Sequence, residues 1–361
     1  MKKTILVIEP FSENEEHLAV NTKILSYWDK NNDLYFCGSS KYCSKLKDNK
    51  VNFNHCFCIS YKPRTLREFI RRYLHIFNII IKNSYKLDEI VFLSFDNSLF
   101  FIFLLLSKVF LFRYKKKILV FSHYNTYTLY SNRIKKILFK FTTYIYHSIQ
   151  YIALTEVAYD TLSNIVNKKN VLFVKHPINE KISIVENFNK EDNVLRYTIV
   201  GRQAKIAINT GFIYELIDIL DLIARKSKLQ IELIIGSNLS LNLEGTRTLK
   251  IDKRNNLSSQ EYSALFRSSD FIVFPEKKED SFRASGILID ALSHKIPFIA
   301  PFHGHFKEFI NCGIFYNNKD INEKIQYSAH LSKQEYLILV NNIIRKTDSI
   351  ESENNIIFSN I

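Results

Sequence analysis

Residues 271–309 read FIVFPEKKEDSFRASGILIDALSHKIPFIAPFHGHFKEF. The run Phe271–Phe274 is short, apolar and partly β-branched, which is the pattern of a buried strand. A charged loop follows over residues 276–283, and the apolar spacing after Ser285-Gly286 predicts a helix. Phe298–Ala300 then begins the next strand. This order of strand, loop, helix and strand is the unit of a parallel α/β sheet.

The start of that predicted helix is suited to an anion. Ligands of open α/β sheets bind beyond the carboxyl ends of the strands, where the helices begin. The first backbone N–H groups of a helix have no intrahelical partner and attract negative charge. Gly286 has no side chain, so a phosphate could approach the main chain closely there. The sequence therefore predicts a phosphate-binding turn at Ser285 and Gly286.

Strands and helices alternate in the same way through both halves of the chain. Its 361 residues are enough for two domains, and a hydrophobic fraction of 46% excludes a disordered protein. The predicted strands are Thr4–Ile8, Leu34–Cys37, Val51–Ser60, Ile90–Ser94, Ile118–Phe121, Tyr151–Leu154, Val194–Val200, Leu229–Ile235, Thr248–Ile251, Phe271–Phe274, Phe298–Ala300 and Cys312–Phe315. This alternation predicts an α/β fold with doubly wound parallel sheets.

The stretch 271–309 resembles the nucleotide-sugar site of the retaining GT-B glycosyltransferases, the large family-four group that builds bacterial polysaccharides such as capsule, exopolysaccharide and O-antigen. The shared features are a strand ending in proline (Pro275), an acidic loop, a glycine near the helix start (Gly286), and an acid-alanine pair inside the helix (Asp290-Ala291). Arg283 opens an Arg-x-Ser-Gly sequence similar to a variant among capsule and exopolysaccharide enzymes. The resemblance implies the GT-B fold, in which two Rossmann-like domains face each other across a cleft.

The resemblance also assigns donor-binding residues and domains. The segment Gly201–Lys205 (GRQAK) is similar to the Gly-Arg…Lys segment whose two cations clamp the donor's diphosphate, which implies that role for Arg202 and Lys205. Here the lysine follows the arginine by only three residues. Arg283 and the amides at Ser285 and Gly286 would hold the same diphosphate, and Asp290 would bind ribose or sugar hydroxyls. The acceptor-side domain would span residues 1–176 and the nucleotide-sugar domain residues 177–345, with a tail over 346–361 that packs back on the first domain.

Three residues are candidates for contact with the transferred sugar. The family's common spacing puts an acid eight residues before the second one, but that position here is Phe282. The nearest acids are Glu279 and Asp280, and the sequence does not choose between them or exclude that both are solvated loop charges. His123 follows the predicted strand Ile118–Phe121, where a histidine of the family often faces the sugar; a hydrogen-bonded histidine at a strand end is the alternative.

Two features depart from the family or suggest a different chemistry. The first turn reads EPFSENEEH from Glu9 and lacks the glycine-rich loop common in the family, so no role is assigned there. His303 and His305 could suggest a metal ion, but loop histidines near a phosphate are the favoured reading, because GT-B enzymes generally need no bound metal. We therefore expect neither a metal nor another cofactor, the nucleotide-sugar being a substrate.

The positive charge of the chain is confined to its first half. Residues 1–176 carry 27 Lys and Arg against 13 Asp and Glu, whereas residues 177–361 carry 23 of each, so the net charge of +14 belongs to the first half. The clusters are Lys62–Arg72, Arg113–Lys117 and Arg133–Lys140, each beside aromatic or aliphatic residues. That pattern indicates a surface for anionic lipid headgroups. Solvated lysine-rich faces are the plain alternative, and a nucleic-acid surface is a rival for which the sequence offers no motif.

No targeting or membrane-spanning segment is predicted. After Lys2 and Lys3 the apolar run is about five residues long, below the ~7–15 of a signal peptide, and it is interpreted as the first strand. The run Leu99–Phe112 is interrupted by Lys108 and is interpreted as a buried helix. The odd count of five cysteines argues against a disulfide framework and fits a reducing cytosol.

Together these patterns predict a glycosyltransferase that moves a hexosyl or related group, with retention, from a nucleotide-sugar to a saccharide. The acceptor is expected to be lipid-linked, and the protein cytoplasmic and peripheral at the inner face of the plasma membrane. The displaced acid and the missing glycine loop leave a second class open, a non-catalytic GT-B-like partner of another transferase. A basic nucleic-acid-binding protein is a third class, and no nucleic-acid partner is expected.

Overall fold

The computed structural model describes residues 2–12, 17–59, 65–96, 117–122, 129, 132–145, 149–178, 194–201, 210–227, 229–237, 245–275, 285–317 and 319–361. The chain divides into two compact units. Unit 1 includes Met1–Pro177 and Ser352–Ile361, and unit 2 includes Ile178–Ser281 and Ser285–Glu351. Each unit is built on its own parallel sheet.

Unit 1 contains a seven-stranded sheet among its described residues, in the order β3-β2-β1-β4-β5-β6-β7, with every pair parallel. Leu6 pairs with Tyr35 on one side and with Ile90 on the other, so the chain winds outward from β1 in both directions. Its elements are β1 (Thr4–Ile8), α1 (Leu18–Trp28), β2 (Asp33–Gly38), α2 (Ser40–Asp48), β3 (His55–Cys58), α3 (Leu66–Asn83), β4 (Glu89–Phe92), β5 (Lys117–Ser122), α4 (Arg133–Ile145), β6 (Ile149–Ala153), α5 (Glu156–Ser163) and β7 (Val171–Phe173).

The two faces of the unit 1 sheet bury different helices. Leu6 and Ile8 of β1 point into a core with residues of α3, α4 and α5. Ile5 and Val7 point the opposite way, into a core with residues of α1 and α2. This division follows from the strand order, because right-handed connections that run in opposite directions along a sheet lie on opposite faces.

Unit 2 contains a six-stranded parallel sheet in the order β10-β9-β8-β11-β12-β13. Val273 of β11 pairs with Ile299 of β12, at the centre of the stretch that opens the sequence argument. The elements are β8 (Val194–Gly201), α6 (Thr210–Lys226), β9 (Gln230–Ser237), β10 (Leu249–Arg254), α7 (Ser259–Arg267), β11 (Phe271–Val273), α8 (Gly286–Ser293), β12 (Phe298–Pro301), β13 (Gly313–Tyr316), α9 (Ile321–His330) and α10 (Lys333–Asn360).

The prediction of two doubly wound parallel sheets is confirmed. The sequence analysis did not identify α2 or α5. It set residues 346–361 apart as a tail, whereas α10 continues through them to Asn360 as one 28-residue helix. Phe358 lies 2% exposed and stacks on Tyr27, with ring centroids 4.8 Å apart, within unit 1. Phe358, near the end of the chain, is therefore part of the core that also contains residues of α1 and α2.

Cys43 and Cys56 form a disulfide that joins α2 to β3, with their Cα atoms 6.7 Å apart. The odd cysteine count had predicted no disulfide framework, and this bond corrects that expectation for one pair. The reason lies in α2: its amphipathic turn places Cys43 beside the edge strand, and without that helix the two cysteines have no evident proximity. Cys37, Cys58 and Cys312 are free thiols.

Among the helices of the described residues, none combines the length and the apolar character needed to span a bilayer. The predicted helix over Leu99–Phe112 lies outside the described residues.

Candidate functional site

The first turn of α8 is fixed by the residue before it. Ser285 has extended backbone angles, and its side-chain oxygen accepts a hydrogen bond from the backbone N–H of Leu288 at 3.3 Å. The carbonyl of Ser285 accepts the N–H of Ile289 at 3.2 Å. A serine cap of this kind satisfies one of the first helical amides. The N–H groups of Gly286 and Ile287, one and two residues into the helix, then point out of the helix end.

The space beside Gly286 is open. A Cβ placed on Gly286 would meet no atom of the described residues within 4 Å, and the residue is exposed. Asp290 lies one turn further on the same face, and side chains of a helix lean toward its N-terminus. Its carboxylate therefore lies below this open space. The hydroxyl of Tyr262, from α7, donates a 2.9 Å hydrogen bond to Oδ2 of Asp290.

His294 closes the C-terminal end of α8 and is held as a neutral ring. Burial lowers the pKa of His294, so the imidazole is uncharged at neutral pH. Its Nδ1 lies 2.7 Å from the carbonyl oxygen of Asp290 and therefore donates to it. Nε2 then accepts from the hydroxyl of Ser263, 3.3 Å away. The ring also stacks on Phe266 at 5.0 Å, so α7 and α8 are joined at both ends of this face.

The carboxyl end of β11 is anchored by aromatic residues. The hydroxyl of Tyr316 donates to the carbonyl of Phe274 at 2.9 Å, and the ring of Phe274 packs against Phe306 at 5.0 Å. His305 is 3% exposed and packs on the same Phe306 at 4.3 Å. The expectation of a loop histidine near a phosphate is therefore wrong for His305, which is a core residue. Gly304 adopts a left-handed φ of 55°, a backbone conformation that glycine takes without strain.

The first strand-to-helix turn of unit 1 is organised by a buried carboxylate. Glu9 follows β1 and is 1% exposed. Its Oε1 accepts the backbone N–H groups of Phe11 at 3.0 Å and Ser12 at 3.3 Å, together with the hydroxyl of Ser94. Its Oε2 accepts the side-chain amide of Asn21, in α1, at 3.2 Å. Backbone amides that a glycine-rich loop would offer to a ligand are here bound by the protein's own anion.

Residues of α3 complete this turn. Arg72 is 6% exposed and donates to the carbonyl of Pro10. The hydroxyl of Tyr73 accepts the backbone N–H of Asp96, just beyond β4, at 3.1 Å. Burial raises the pKa of Tyr73 well above its usual range, so its phenol remains protonated. The sequence reading assigned nothing to Glu9, although an acid directly after a buried strand was a signal that could have been used.

His176 ends unit 1 next to the boundary with unit 2. Its Nδ1 lies 2.9 Å from the carbonyl oxygen of Pro177 and donates to it. Burial is the main cause that lowers the pKa of His176 to about 4, and the nearby His17 lowers it further. The ring is therefore neutral in the native protein at neutral pH, as a buried donor to a carbonyl must be to avoid an uncompensated charge.

The structure describes three of the nine residues predicted for the site. Ser285, Gly286 and Asp290 share one end and one face of α8. The other six predicted residues lie outside the described residues; they are Arg202, Lys205, Arg283, Glu279, Asp280 and His123. β8 is described as far as Gly201, the residue before Arg202, and β5 as far as Ser122, the residue before His123. Among the described residues, no group of three or more His, Cys, Asp or Glu side chains could hold a metal ion.

No protein-family model matches the sequence, and no curated protein matches it. Solved structures do match over nearly the whole chain. The protein HepE of Anabaena, crystallised in complex with UDP and glucose, has 10% identity and a TM-score of 0.66, with 98% of each chain covered. The lipopolysaccharide outer core galactosyltransferase WaaB has 14% identity and a TM-score of 0.65, covering 99% of this chain and 100% of that one.

A third match is named for a different activity. The putative UDP-N-acetylglucosamine 2-epimerase of Listeria monocytogenes has 14% identity and a TM-score of 0.57, covering 98% of this chain and 97% of that one. The TM-scores and coverages of these matches demonstrate a shared fold, whereas sequence identities this low leave the activity open. With two parallel-sheet Rossmann-like units and full-length structural matches of this kind, the chain has the GT-B fold.

Proposed function

We propose that this chain is a glycosyltransferase that moves a sugar, with retention, from a nucleotide-sugar to a saccharide acceptor. The observation that carries the proposal is the open first turn of α8, at the carboxyl end of β11 in a GT-B fold. There two helical amides and the empty space beside Gly286 offer a place for a diphosphate. A sugar of the hexosyl type fits the resemblance, and the donor's base is left to experiment.

In this reaction the bond between the sugar's anomeric carbon and the diphosphate oxygen breaks, and its electron pair leaves with the nucleoside diphosphate. The acceptor's hydroxyl oxygen bonds to the anomeric carbon, and its proton passes to an oxygen of the departing diphosphate. The leaving diphosphate gains negative charge as this happens. Cations and backbone amides would stabilise that charge more strongly in the transition state than in the bound donor. The groups proposed for this are Arg202, Lys205, Arg283 and the amides at Ser285 and Gly286.

The carboxylates have separate roles in the proposal. Asp290, oriented by Tyr262, would accept hydrogen bonds from ribose or sugar hydroxyls. Glu279 or Asp280 would contact the transferred sugar, and His123 would face it from unit 1. No bound metal is part of this scheme, so we expect that EDTA leaves the transfer rate unchanged.

The acceptor in the proposal is a lipid-linked saccharide of bacterial surface polysaccharide synthesis, met at the cytoplasmic face of the plasma membrane. The excess of 14 positive charges in residues 1–176 supports it, because an anionic membrane surface attracts such a domain. A reducing cytosol would open the disulfide of Cys43 and Cys56 to two thiols, so the state of this bond in the cell tests the proposed location. Alkylation in denaturant after acid trapping of thiols, which also reaches the buried Cys37 and Cys312, should then label all five cysteines; labelling of only three would contradict a cytoplasmic location.

A thermal-shift screen over UDP-, GDP- and dTDP-sugars tests donor binding, because a ligand that binds only the folded state raises its apparent stability. One nucleotide series should raise the Tm, and Arg202→Ala should abolish the shift. Arg247→Ala, which removes an exposed arginine elsewhere in unit 2, is the matched control and should preserve it. Absence of any shift in the wild type would contradict the proposal.

Product analysis separates transfer from the other activities compatible with this fold. A retaining transferase should release nucleoside diphosphate and form a glycosidic product with the same anomeric configuration as the donor. Inversion at C2 of the sugar without nucleotide release would instead indicate an epimerase, and binding without turnover a non-catalytic partner. Salt-sensitive retention of DNA or RNA in a filter assay would favour the nucleic-acid alternative, and a flat curve would dismiss it.

A further inference from the structure

The outer side of α3 carries two adjacent stripes of exposed residues. The inner side packs Tyr73, Ile76, Phe77 and Ile80 into the unit 1 core. The first outer stripe is aliphatic and consists of Leu66, Ile70, Leu74 and Ile81, of which Ile70 is 41% and Leu74 48% exposed. The second is basic, one position later, and contains the exposed residues Arg67, Arg71 and Lys82. The only acid in α3, Glu68, is used in a capping box with Thr65.

The helix α4 repeats this arrangement. Phe139 is buried in the same core, while Ile134 and Ile137 are 71% and 66% exposed. Arg133 is exposed beside them, and Lys135, Lys136 and Lys140 lie on the same short helix. The helix contains no acid, and neither does the whole stretch of residues 101–150, which carries nine Lys and Arg. Exposed isoleucines next to cations on a helix that contains no acid need an explanation beyond solubility.

Both helices cover the same face of the unit 1 sheet. Their buried residues belong to one core cluster, whereas α1 and α2 pack into the cluster on the other face. The outward stripes of α3 and α4 therefore point away from the same face. We refer to Ile70, Arg71, Leu74, Arg133, Ile134 and Ile137 as the basic–apolar face.

The chemistry of this face selects its partner. Aliphatic side chains interleaved with Arg and Lys suit the boundary between headgroups and acyl chains, where the stems enter the apolar layer and the cations meet phosphates. The exposed stripe of α4 continues beyond Ile137 as Phe141 and Tyr144, and aromatic side chains of this kind are also typical of the headgroup boundary. A surface that reads nucleic acid would add hydrogen-bonding side chains such as Asn and Gln for base edges, which the described residues of this stripe do not contain. A protein partner that binds exposed aliphatic side chains in a groove would not by itself require a positive charge excess on both helices. The positive charge is complementary to an anionic bilayer.

We propose that the basic–apolar face docks unit 1 on an anionic lipid bilayer, with Ile70, Leu74, Ile134 and Ile137 entering the headgroup boundary and Arg71 and Arg133 contacting lipid phosphates. This inference deepens the proposed function, on which it rests, by naming the surface that brings the chain to a lipid-linked acceptor. It requires no change in the fold, since the residues are exposed as they stand.

Vesicle flotation with the full chain tests the proposal. The wild type should float with vesicles of phosphatidylcholine and phosphatidylglycerol and not with phosphatidylcholine alone. The double variants Ile70→Gln/Leu74→Gln and Ile134→Gln/Ile137→Gln should each weaken binding by about tenfold. Arg71→Gln and Arg133→Gln should each weaken it by about fivefold. The matched control Leu337→Gln/Ile338→Gln, which changes two exposed aliphatic residues of α10, should bind like the wild type.

Several results would overturn the proposal: no flotation of the wild type, equal binding to neutral vesicles, or an equal loss in the α10 control. The proposal would also be overturned if the wild type bound DNA or RNA and the isoleucine variants bound it more weakly. The same holds if light scattering showed that the wild type is an oligomer and the variants are monomers. Circular dichroism confirms that each variant is folded before it is scored.

Donor binding by the same proteins distinguishes this proposal from the function it rests on. Each double variant should retain the Tm shift with the nucleotide-sugar while losing vesicle binding. A wild type that binds nucleotide-sugar but no vesicle refutes the docking face and leaves the transferase proposal standing. A wild type that binds anionic vesicles but no nucleotide-sugar refutes the transferase proposal and leaves the docking face.

Discussion

The two strand-to-helix turns described above handle negative charge in opposite ways. In unit 1 the carboxylate of Glu9 is buried after β1 and accepts two backbone N–H groups of its own turn. In unit 2 the first turn of α8 is capped by the neutral Ser285, and among the described residues no atom lies within 4 Å of a Cβ placed on Gly286. A phosphate would meet a fixed anion in the first turn and free helical amides in the second. The same type of fold thus contains one turn that is filled and one that can accept an anionic ligand.

The largest effect is expected from removing the built-in anion. Glu9→Ala leaves the amides of Phe11 and Ser12 and the side chain of Asn21 without their acceptor in a buried turn. Loss of such a hydrogen-bonded buried carboxylate should lower the free energy of unfolding by about 4 kcal/mol. Urea denaturation measures this loss. Glu9→Gln keeps an acceptor oxygen at the same position and should lose only about 1 kcal/mol.

A small carboxylate can replace the missing one and so tests the comparison directly. Formate should raise the Tm of Glu9→Ala and leave the wild type unchanged, because only the variant has vacant amides in that turn. If the variant is as stable as the wild type, or if formate affects both equally, Glu9 does not organise the turn.

The sequence identified the open turn and missed the filled one, for a physical reason. The open turn depends on residues that are neighbours in the chain. Ser285 caps the N–H of Leu288 three residues later, and Gly286 contributes only the absence of a side chain. Such local spacing is visible in a sequence, as in the capping box of Ser258 and Glu261, which lie three residues apart. Glu9, in contrast, is bound by Asn21 and Ser94, which only the folded sheet brings close.

The same limit explains the other differences. Two parallel sheets followed from the alternation of apolar runs, which is a repeated local signal. The contact of Tyr262 with Asp290 joins two helices 28 residues apart and has no local signature. The pairing of Cys43 with Cys56 depended on α2, a short helix with few apolar residues. Partners distant in the chain were therefore out of reach, whereas caps, strand ends and charge distribution were not.

Acid should destabilise both units through histidines whose pKa burial lowers, unit 2 through His294 and unit 1 through His176. His176 of unit 1 has a native pKa of about 4, against an ordinary value of 6.5. Between these values the unfolded chain binds more protons than the native one, so the stability present above pH 6.5 is lost as pH falls toward 4. The full shift corresponds to about 3 kcal/mol at most.

Urea denaturation at a series of pH values measures this loss, and His176→Gln should flatten the curve in that window. His55→Gln, which changes an exposed histidine of unit 1, is the control and should keep the wild-type slope. An unchanged slope in His176→Gln would show that the acid sensitivity arises elsewhere.

A side chain at Gly286 should close the open turn without unfolding it. Because no atom lies within 4 Å of a Cβ placed there, Gly286→Val should change the free energy of unfolding by less than about 1 kcal/mol. It should nevertheless weaken nucleotide-sugar binding by about tenfold to a hundredfold, equivalent to about 1.4–2.8 kcal/mol, since the isopropyl group occupies the approach to the amides. Titration calorimetry measures the affinity, with the smaller Gly286→Ala expected to lie in between. Equal affinity in all three proteins would place the diphosphate elsewhere.

The smallest effect is expected from the residue that orients Asp290 in the open turn. Tyr262→Phe removes only the 2.9 Å hydrogen bond to Oδ2, which should cost about 1 kcal/mol of donor affinity, or about fivefold. Asp290→Asn alone should cost more, because it alters the group that meets the ligand. In a double-mutant cycle the two changes should not add, since the loss of the tyrosine matters only while a carboxylate is there to be oriented. Tyr214→Phe, an exposed tyrosine of α6, should leave affinity unchanged. Strict additivity of the two variants would mean that Tyr262 packs beside Asp290 without positioning it, and the open turn would then depend on its amides alone.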